Sequence, residues 1–491
     1  MKSVSLDDFA PLPVGPDQYP LEYIEAKAAI KLKEEETRVH VGLAADAERG
    51  TLLSLKNFHG EKEVLFYRVD RVELAAYVGK RASDDVSAGP KSAAADTDRL
   101  LLDKLANDAP IVNLVNSICI DAIRAGASDI HIEALLDFAR VRYRIDGVLR
   151  TMRSIERSKF PAVSSRIKVM ANLNIMERRL PQDGRISVNI GDDTVDLRVS
   201  IVPTARGESI VLRLFNKSSA PLGMEDLGFS AEHLALIRKL LKIPHGLVLV
   251  TGPTGSGKTT TLNAMLRLIS SDSLKILTIE DPVEYLIDGV NQIQTNDQIK
   301  LSFDTILRRV LRQDPNVIMV GEIRDSPTAE LAVRAALTGH LVLSTLHTNS
   351  SVSVIPRLKN MGVESYLIAS VLQGVIAQRL VRRVCPACAR KRSADPVEAQ
   401  LLRSYGLQSE TVTEGRGCEV CHGTGYRSRT VVAEAFAMDP GLEEMILRDQ
   451  RVAEITSYLK ERGMPSLAQD GMAKAASGLT TIKELELEVA L

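Results

Sequence analysis

Residues 248–263 read VLVTGPTGSGKTTTLN, an apolar run that breaks into Gly252, Pro253, Thr254, Gly255, Ser256, Gly257, Lys258, Thr259 and Thr260 before helix-forming residues resume. This is the G-x-x-x-x-G-K-[ST] pattern in a strand, loop and helix context, and it predicts a nucleoside triphosphate site. Gly255 and Gly257 let the backbone curl so that successive N–H groups face the phosphates, with the positive end of the following helix behind them. Lys258 is placed to reach the β- and γ-phosphates, and the Thr259 hydroxyl to ligate Mg²⁺. The alternation of strand and helix patterns beyond this point predicts an α/β core with a parallel sheet covered by helices.

Outward from the loop, DPNVIMVGEIRD (314–325) sets four apolar residues before Gly321 and Glu322. A buried strand that delivers an acid at its C-terminal end suits a hydrated Mg²⁺, because ligands of parallel sheets gather at that edge. Between the two motifs, ILTIEDPVEY (276–285) is another apolar strand, ending in Glu280, Asp281 and Glu284. A carboxylate there can orient or deprotonate an attacking water, although three acids in five residues also make an ordinary solvated turn. Downstream, LTGHLVLSTLHTN (337–349) places His340 and His347 on either side of an apolar strand. An imidazole at a strand end can donate to a γ-phosphate, or simply be satisfied locally.

Four of the five cysteines form two C-x-x-C pairs, Cys385 with Cys388 and Cys418 with Cys421. Four thiolates can close a tetrahedral shell with no position left for water, which predicts structural Zn²⁺, with His422 as an alternative ligand. Paired knuckles suit a reducing compartment better than a disulfide framework. Cys119, alone in an apolar helix, reads as a core residue. Around the first knuckle crowd Arg379, Arg382, Arg383, Arg390, Lys391 and Arg392, a solvated basic face or a patch for an acidic partner or lipid head groups.

The 491-residue chain has material for two to four domains. Residues 1–80 are expected to form a small α/β domain, with an amphipathic helix over Leu21–Glu35 and a strand over Glu63–Val69. Residues 81–108, opened by the Ser-, Ala- and Asp-rich run RASDDVSAGPKSAAADTD, read as a flexible linker. A helix from Ile111 to Arg124 and alternating segments as far as Phe215 predict a strand-rich α+β domain over 109–222, and Asn216–Gly228 reads as a second linker. The core domain is expected over 229–491: nucleotide core to about 380, metal-binding subdomain 384–430, helical tail 431–491. A net charge of −1 with 4% aromatic residues argues against a nucleic-acid track. No apolar run reaches the ~18 residues of a membrane-spanning helix, and MKSVSLDDFAPLPVG lacks the apolar middle of a secretory signal. A cytoplasmic protein is expected, with any membrane association indirect.

Taken in order, GPTGSGKTTTL, IEDPVEY, LRQDPNVIMVGEIRD, LTGHLVLSTLHTN and VIAQRLVRRVCPAC resemble the secretion ATPase superfamily, specifically the type II secretion and type IV pilus assembly ATPases. The likeness continues in ASDIHIE, RVRYRIDGVL, RRLPQDGRISV, VDLRVSIVPTARGES and GMPSLAQDGMAKAASGLTTIKEL, and covers roughly residues 110–490. It implies a RecA-like P-loop core, a preceding PAS-like α+β domain, a small N-terminal α/β domain and a four-cysteine zinc-binding insertion. By the same resemblance Glu322 belongs to the Walker B motif, and Glu284, with Glu280 second, is the water-activating acid. His340 and His347 then form the histidine box, and Arg185 and Arg198 close onto the nucleotide, with Arg166 and Arg206 as possible substitutes. GYRSRTVVAEAF (425–436) departs from the glycine-containing version usual in the family.

The resemblance further implies ATP, Mg²⁺ and Zn²⁺ as cofactors and a homo-hexamer at the cytoplasmic face of the inner membrane. The N-terminal domain would dock on inner-membrane platform proteins. The zinc knuckles point to an assembly or secretion motor rather than a pilus retraction motor, and the short N-terminal region favours type II secretion over type IV pilus assembly. A nucleic-acid translocase and a non-hydrolysing, nucleotide-gated binding module are the readings from other classes.

Overall fold

The computed structural model describes residues 108–489 apart from 191, 192, 217–221, 297 and 298. Of the first 107 it describes chiefly 2–4, 28–35, 37–44, 49–59 and 62–70, with single residues 6, 19, 24, 73 and 74. The chain divides into two compact units, Met1–Ala109 and Pro110–Leu491. The expected linker, 81–108, lies outside the described residues except for Asp108.

In the first unit β1 (Lys2–Ser3), β2 (Ala29–Glu34), β3 (Arg38–Ala44) and β4 (Glu63–Val69) form a sheet in the order β1-β4-β3-β2. The helix expected over Leu21–Glu35 is corrected in its second half, which is β2; residues 21–27 lie outside the described residues except for Ile24. Ile30 and Leu32 alternate with Lys31 and Lys33, and antiparallel pairing with β3 satisfies the backbone, so the two-residue period outweighs local helix propensity. The strand expected over Glu63–Val69 is β4.

The Ala109–Arg124 helix starts at the boundary and leads into the second unit, with Ile111, Val115, Ile118, Cys119 and Ala122 buried. Six antiparallel strands follow: β5 (Ala127–Ala134), β6 (Phe138–Ile145), β7 (Val148–Glu156), β8 (Gln182–Ile190), β9 (Asp193–Thr204) and β10 (Gly207–Asn216). Their order is β7-β6-β5-β10-β9-β8, and one face packs on this helix and on the Phe160–Met170 helix. Alternation fixes the faces: Ile130 and Ile132 enter the core, while Asp129, His131 and Glu133 lie on the other side of β5.

The larger sheet comprises β11 (Gly246–Thr251), β12 (Ile276–Glu280), β13 (Val290–Gln294), β14 (Val317–Val320), β15 (Leu341–Leu346), β16 (Leu372–Val384) and, after β17 (Ala389–Ser393) and β18 (Thr411–Gly415), β19 (Tyr426–Ala437). The order is β13-β12-β14-β15-β11-β16-β19, parallel throughout except for β19. Such strands are covered on both faces, which is why every residue of β11, β14 and β15 is buried and β14 is an unbroken apolar run. Leu247 and Leu249 enter one core, Val248 and Val250 the opposite one.

Two boundaries differ from expectation. The second linker ends early, because Met224, Leu227 and Phe229 are buried in the core beside β11. Residues 431–437 are not helical tail but the buried half of β19, paired antiparallel with β16; the tail helices begin at Pro440. The spacer between the knuckles folds into the β17–β18 hairpin and the capped Pro396–Ser404 helix. Among the described residues no helix is long and apolar enough to cross a membrane.

Candidate active site

The phosphate loop leaves β11 at the C-terminal edge of the large sheet and ends at the Lys258–Ile269 helix. Gly252, Gly255 and Gly257 have φ of +152°, +82° and +84°, backbone states that a side chain would strain. A Cβ on Gly252 would lie 2.5 Å from the Gln378 carbonyl oxygen, whereas nothing lies within 4 Å of one on Gly255. The loop is therefore packed tightly against β16 at Gly252 and unpacked at Gly255. Lys258 is buried, and its Nζ donates to the Gly252 and Pro253 carbonyls at 2.8 and 3.0 Å. Burial pushes its ammonium down to about 8 against the attraction of Glu322, and the nearby Arg379 adds to the fall. Thr259 and Thr260 are half-buried on the first helical turn. The buried Ser256 Oγ has no hydrogen-bond partner.

Glu322 follows β14 at the same edge. Burial alone would raise its pKa, but the Arg324 guanidinium and the His347 imidazole hold it below the usual carboxylate range. His347 Nε2 is 3.3 Å from Glu322 Oε2. A carboxylate kept ionised at the sheet edge and the Thr259 hydroxyl on the first turn of the following helix both offer the hard oxygens that suit Mg²⁺.

His340 is corrected. It precedes β15, at the opposite end of a six-residue strand from His347, and thus about 20 Å from the phosphate edge. Its Nδ1 lies 2.9 Å from the Ala335 carbonyl oxygen, so it closes the end of the Ser326–Leu337 helix and does not face this chain's phosphate loop.

The acids after β12 have different environments. Glu280 is buried; its Oε1 accepts from Thr278 Oγ1 at 2.6 Å and Gln292 Nε2 at 2.9 Å, and its Oε2 has no partner. Glu284 is pushed above the ordinary carboxylate range by burial and by Glu280, partly offset by Arg213. It lines a cavity of about 440 Å³ with Arg185, Arg198, Phe215, Pro282 and Tyr285. Arg166 and Arg206 do not line it.

The arginines reach that cavity through sheet register. Arg185 on β8 faces Arg198 on β9, which faces Arg213 on β10. Residues directly opposite in antiparallel strands share a face, so the three cations form one row. Arg213 Nε is held by Asp129 Oδ1 at 2.9 Å. Arg213 escaped the sequence reading because only pairing between distant strands aligns it with the other two. Arg379 was read as part of a basic face, but its Nη2 donates to the Asn349 carbonyl at 2.9 Å, in the loop that follows His347.

The rest of that basic cluster is largely paired internally. Arg382 makes a bidentate contact with the buried Glu484 and lies 4.2 Å from the Tyr426 ring centroid; Arg392 is held by Glu398 and Glu414. The four thiols of Cys385, Cys388, Cys418 and Cys421 lie within 4.8 Å of one another, with Sγ–Sγ distances of 3.7, 3.8 and 4.0 Å among them. Sulfurs ~2.3 Å from a shared tetrahedral Zn²⁺ are separated by about 3.8 Å, so the donor set fits. The Cys418 and Gly425 amides donate to Cys421 Sγ at 3.2 Å each, which favours thiolate. His422 is not a member of the cluster. In the segment after the knuckle, Ser428 stands at φ +63°, and its N–H donates to Asp146 Oδ2 at 3.0 Å.

Residues 104–487 match the family described as type II/IV secretion system protein. The chain is 48% identical over 379 residues to the type II secretion system protein E of Pseudomonas aeruginosa, covering 77% of this chain and 75% of that one. It is 47% identical over 388 residues to the type IV pilus assembly ATPase PilB of Myxococcus xanthus, covering 78% and 68%. Among solved structures, the pilus retraction motor PilT with bound ADP is similar at a TM-score of 0.52 and 28% identity, covering 75% of this chain and 94% of that one. The phosphate loop, the acids at its sheet edge and these relatives agree: the chain belongs to the type II/IV secretion system protein family and is one of its ATP-hydrolysing members.

Proposed function

We propose that this ATPase drives a type II secretion system, working as a homo-hexamer at the cytoplasmic face of the inner membrane and assembling a pseudopilus that exports protein. One observation carries the reading: at a single edge of the large sheet the open phosphate loop meets Glu322, and Glu284 shares a cavity with Arg185 and Arg198 from the smaller sheet. In this reading Gly252 to Thr260 bind the triphosphate and Lys258 exchanges its loop carbonyls for phosphate oxygens. Mg²⁺, held by Thr259 and Glu322, would neutralise phosphate charge. Glu284, less acidic than a free carboxyl, accepts the proton of the attacking water, with Glu280 behind it. Arg185 and Arg198 draw the two sheets together over the γ-phosphoryl group and stabilise its developing charge. His347 orients Glu322. Cys385, Cys388, Cys418 and Cys421 would hold Zn²⁺, which would tie together the subdomain between β16 and β19.

The N-terminal unit would dock on an inner-membrane platform protein, so that membrane association is indirect and no nucleic acid takes part. The 48% identity to a type II secretion protein E supports this assignment. The likeness to PilB at 47% favours type IV pilus assembly as the second reading. Expression in one host lacking its type II ATPase and another lacking its pilus assembly ATPase decides between them. Restored export in the first, abolished by Lys258→Ala, is expected; restored piliation alone would move the assignment to the second.

A further inference from the structure

The strand β16 runs beside the phosphate loop before it reaches the first knuckle, and Gln378 sits at the crossing. Thr251, the last residue of β11, pairs with Ala377, so Gln378 stands level with Gly252. Gln378 is fully buried. Its Nε2 donates to the Ser256 carbonyl at 2.7 Å, and its Oε1 accepts from Thr261 Oγ1 at 2.9 Å. The Ser256 carbonyl fixes which end of the amide faces the loop: it can only accept, so it takes Nε2, and the Thr261 hydroxyl, which can donate or accept, then donates to Oε1. The backbone of the same residue closes the base of the loop, where its carbonyl would meet a Cβ on Gly252 at 2.5 Å.

A trans peptide unit is planar, so its C=O and its N–H point in opposite directions. Pulling the Ser256 carbonyl toward β16 therefore turns the Gly257 N–H away from β16, to the concave side of the loop where phosphate would lie. The left-handed Gly257, at φ +84°, is compatible with that orientation, and a Cβ there would come 3.3 Å from Gln378 Nε2. Without the glutamine the Ser256–Gly257 peptide is free to flip, and a flipped unit presents a carbonyl oxygen to an anion.

We propose that Gln378 is a positioning residue for nucleotide: it sets the polarity of the Ser256–Gly257 peptide and so keeps the phosphate nest formed before ligand arrives. Thr261 is its orienting partner. The proposal rests on the reading of Gly252–Thr260 as the phosphate loop, and the test separates the two.

Mg-ATP affinity and steady-state kinetics are measured on the full chain for Gln378→Leu, Thr261→Val, their double variant, Thr261→Ser and Lys258→Ala, with melting temperature on each sample. Gln378→Leu keeps the volume and removes both bonds; it is expected to weaken Mg-ATP binding about 10- to 100-fold, as a misaligned hydrogen bond to a charged group does. KM should rise by more than kcat falls. Thr261→Val should act in the same direction with a smaller effect, the double variant should be no worse than Gln378→Leu, and Thr261→Ser, which keeps the hydroxyl, should bind more tightly than Thr261→Val. A merely structural role would instead lower kcat through a reduced active fraction and leave KM in place, and that result overturns the proposal. So does native affinity in folded Gln378→Leu while Lys258→Ala has lost binding. If Gln378→Leu does not fold, Thr261→Val decides alone: unchanged affinity there refutes the proposal. Retained binding in Lys258→Ala would overturn the phosphate-loop reading itself.

Discussion

Gly252→Ala and Gly255→Ala put the same methyl group into the same loop, and the structure predicts different outcomes. At Gly252 the new Cβ would stand 2.5 Å from the Gln378 carbonyl and 2.6 Å from Ser256 Oγ, both below the 3.0 Å that real Cβ atoms respect. The carbonyl cannot yield, because β16 is pinned between β11 and β19. The loop itself must move by roughly half an ångström or more, and an error of 1 Å at a reacting centre costs about 10²-fold. Gly252→Ala should therefore lose about 10- to 100-fold in ATP turnover. At Gly255 the methyl meets open space and the only penalty is the left-handed backbone, about 1–2 kcal/mol. That strain is present with and without nucleotide, so it lowers stability more than affinity. Paired measurement of turnover, ATP affinity and melting temperature checks the contrast. Gly252→Ala within threefold of native turnover, or Gly255→Ala the more damaging of the two, would refute the account of the nest.

Glu284→Gln should bind Mg-ATP normally and hydrolyse it about 10²- to 10⁴-fold more slowly. Because burial and Glu280 raise the folded-state pKa of Glu284, native hydrolysis should fall on the acid side at a pH above the ordinary carboxylate value, and a pH–rate profile of the variant should lack that limb. Glu484→Ala leaves the Arg382 guanidinium and backbone N–H without their shared acceptor, and breaking a buried pair costs about 3–5 kcal/mol, readable by denaturant unfolding; a loss below about 1 kcal/mol would contradict the clamp. Metal analysis should find one zinc per chain, and chelation should unfold the region around the knuckles, since structural Zn²⁺ contributes on the order of 10 kcal/mol to its site. Ser428→Gly should raise stability by about 1 kcal/mol by relieving the left-handed serine, as a thermal melt would show.

The features legible in the sequence are those whose cause is local. The phosphate loop and the apolar run of β14 ahead of Glu322 each hold their chemistry within about a dozen residues, and each cysteine pair within four, although the two pairs lie about thirty residues apart. What stayed hidden depends on partners far along the chain. The segment of β2 has helix-forming residues, and only its pairing with β3 makes it a strand. Residues 431–437 join the large sheet because β16, roughly fifty to sixty residues earlier, offers an edge to pair with. His340 and His347 look equivalent in the sequence, yet a six-residue strand sends one to the phosphate edge and the other to the opposite end. Arg213 and Gln378 are unremarkable as letters, and acquire a role only from register with β9 and β11.

We propose a ring motor, a homo-hexamer in which residues of both sheets serve the nucleotide. Its most direct test is ATPase rate per subunit across a range of protein concentration, with particle mass read on the same samples and Lys258→Ala as control. The account predicts a per-subunit rate that rises as hexamers form and is absent in the control; a constant rate from monomers would contradict it.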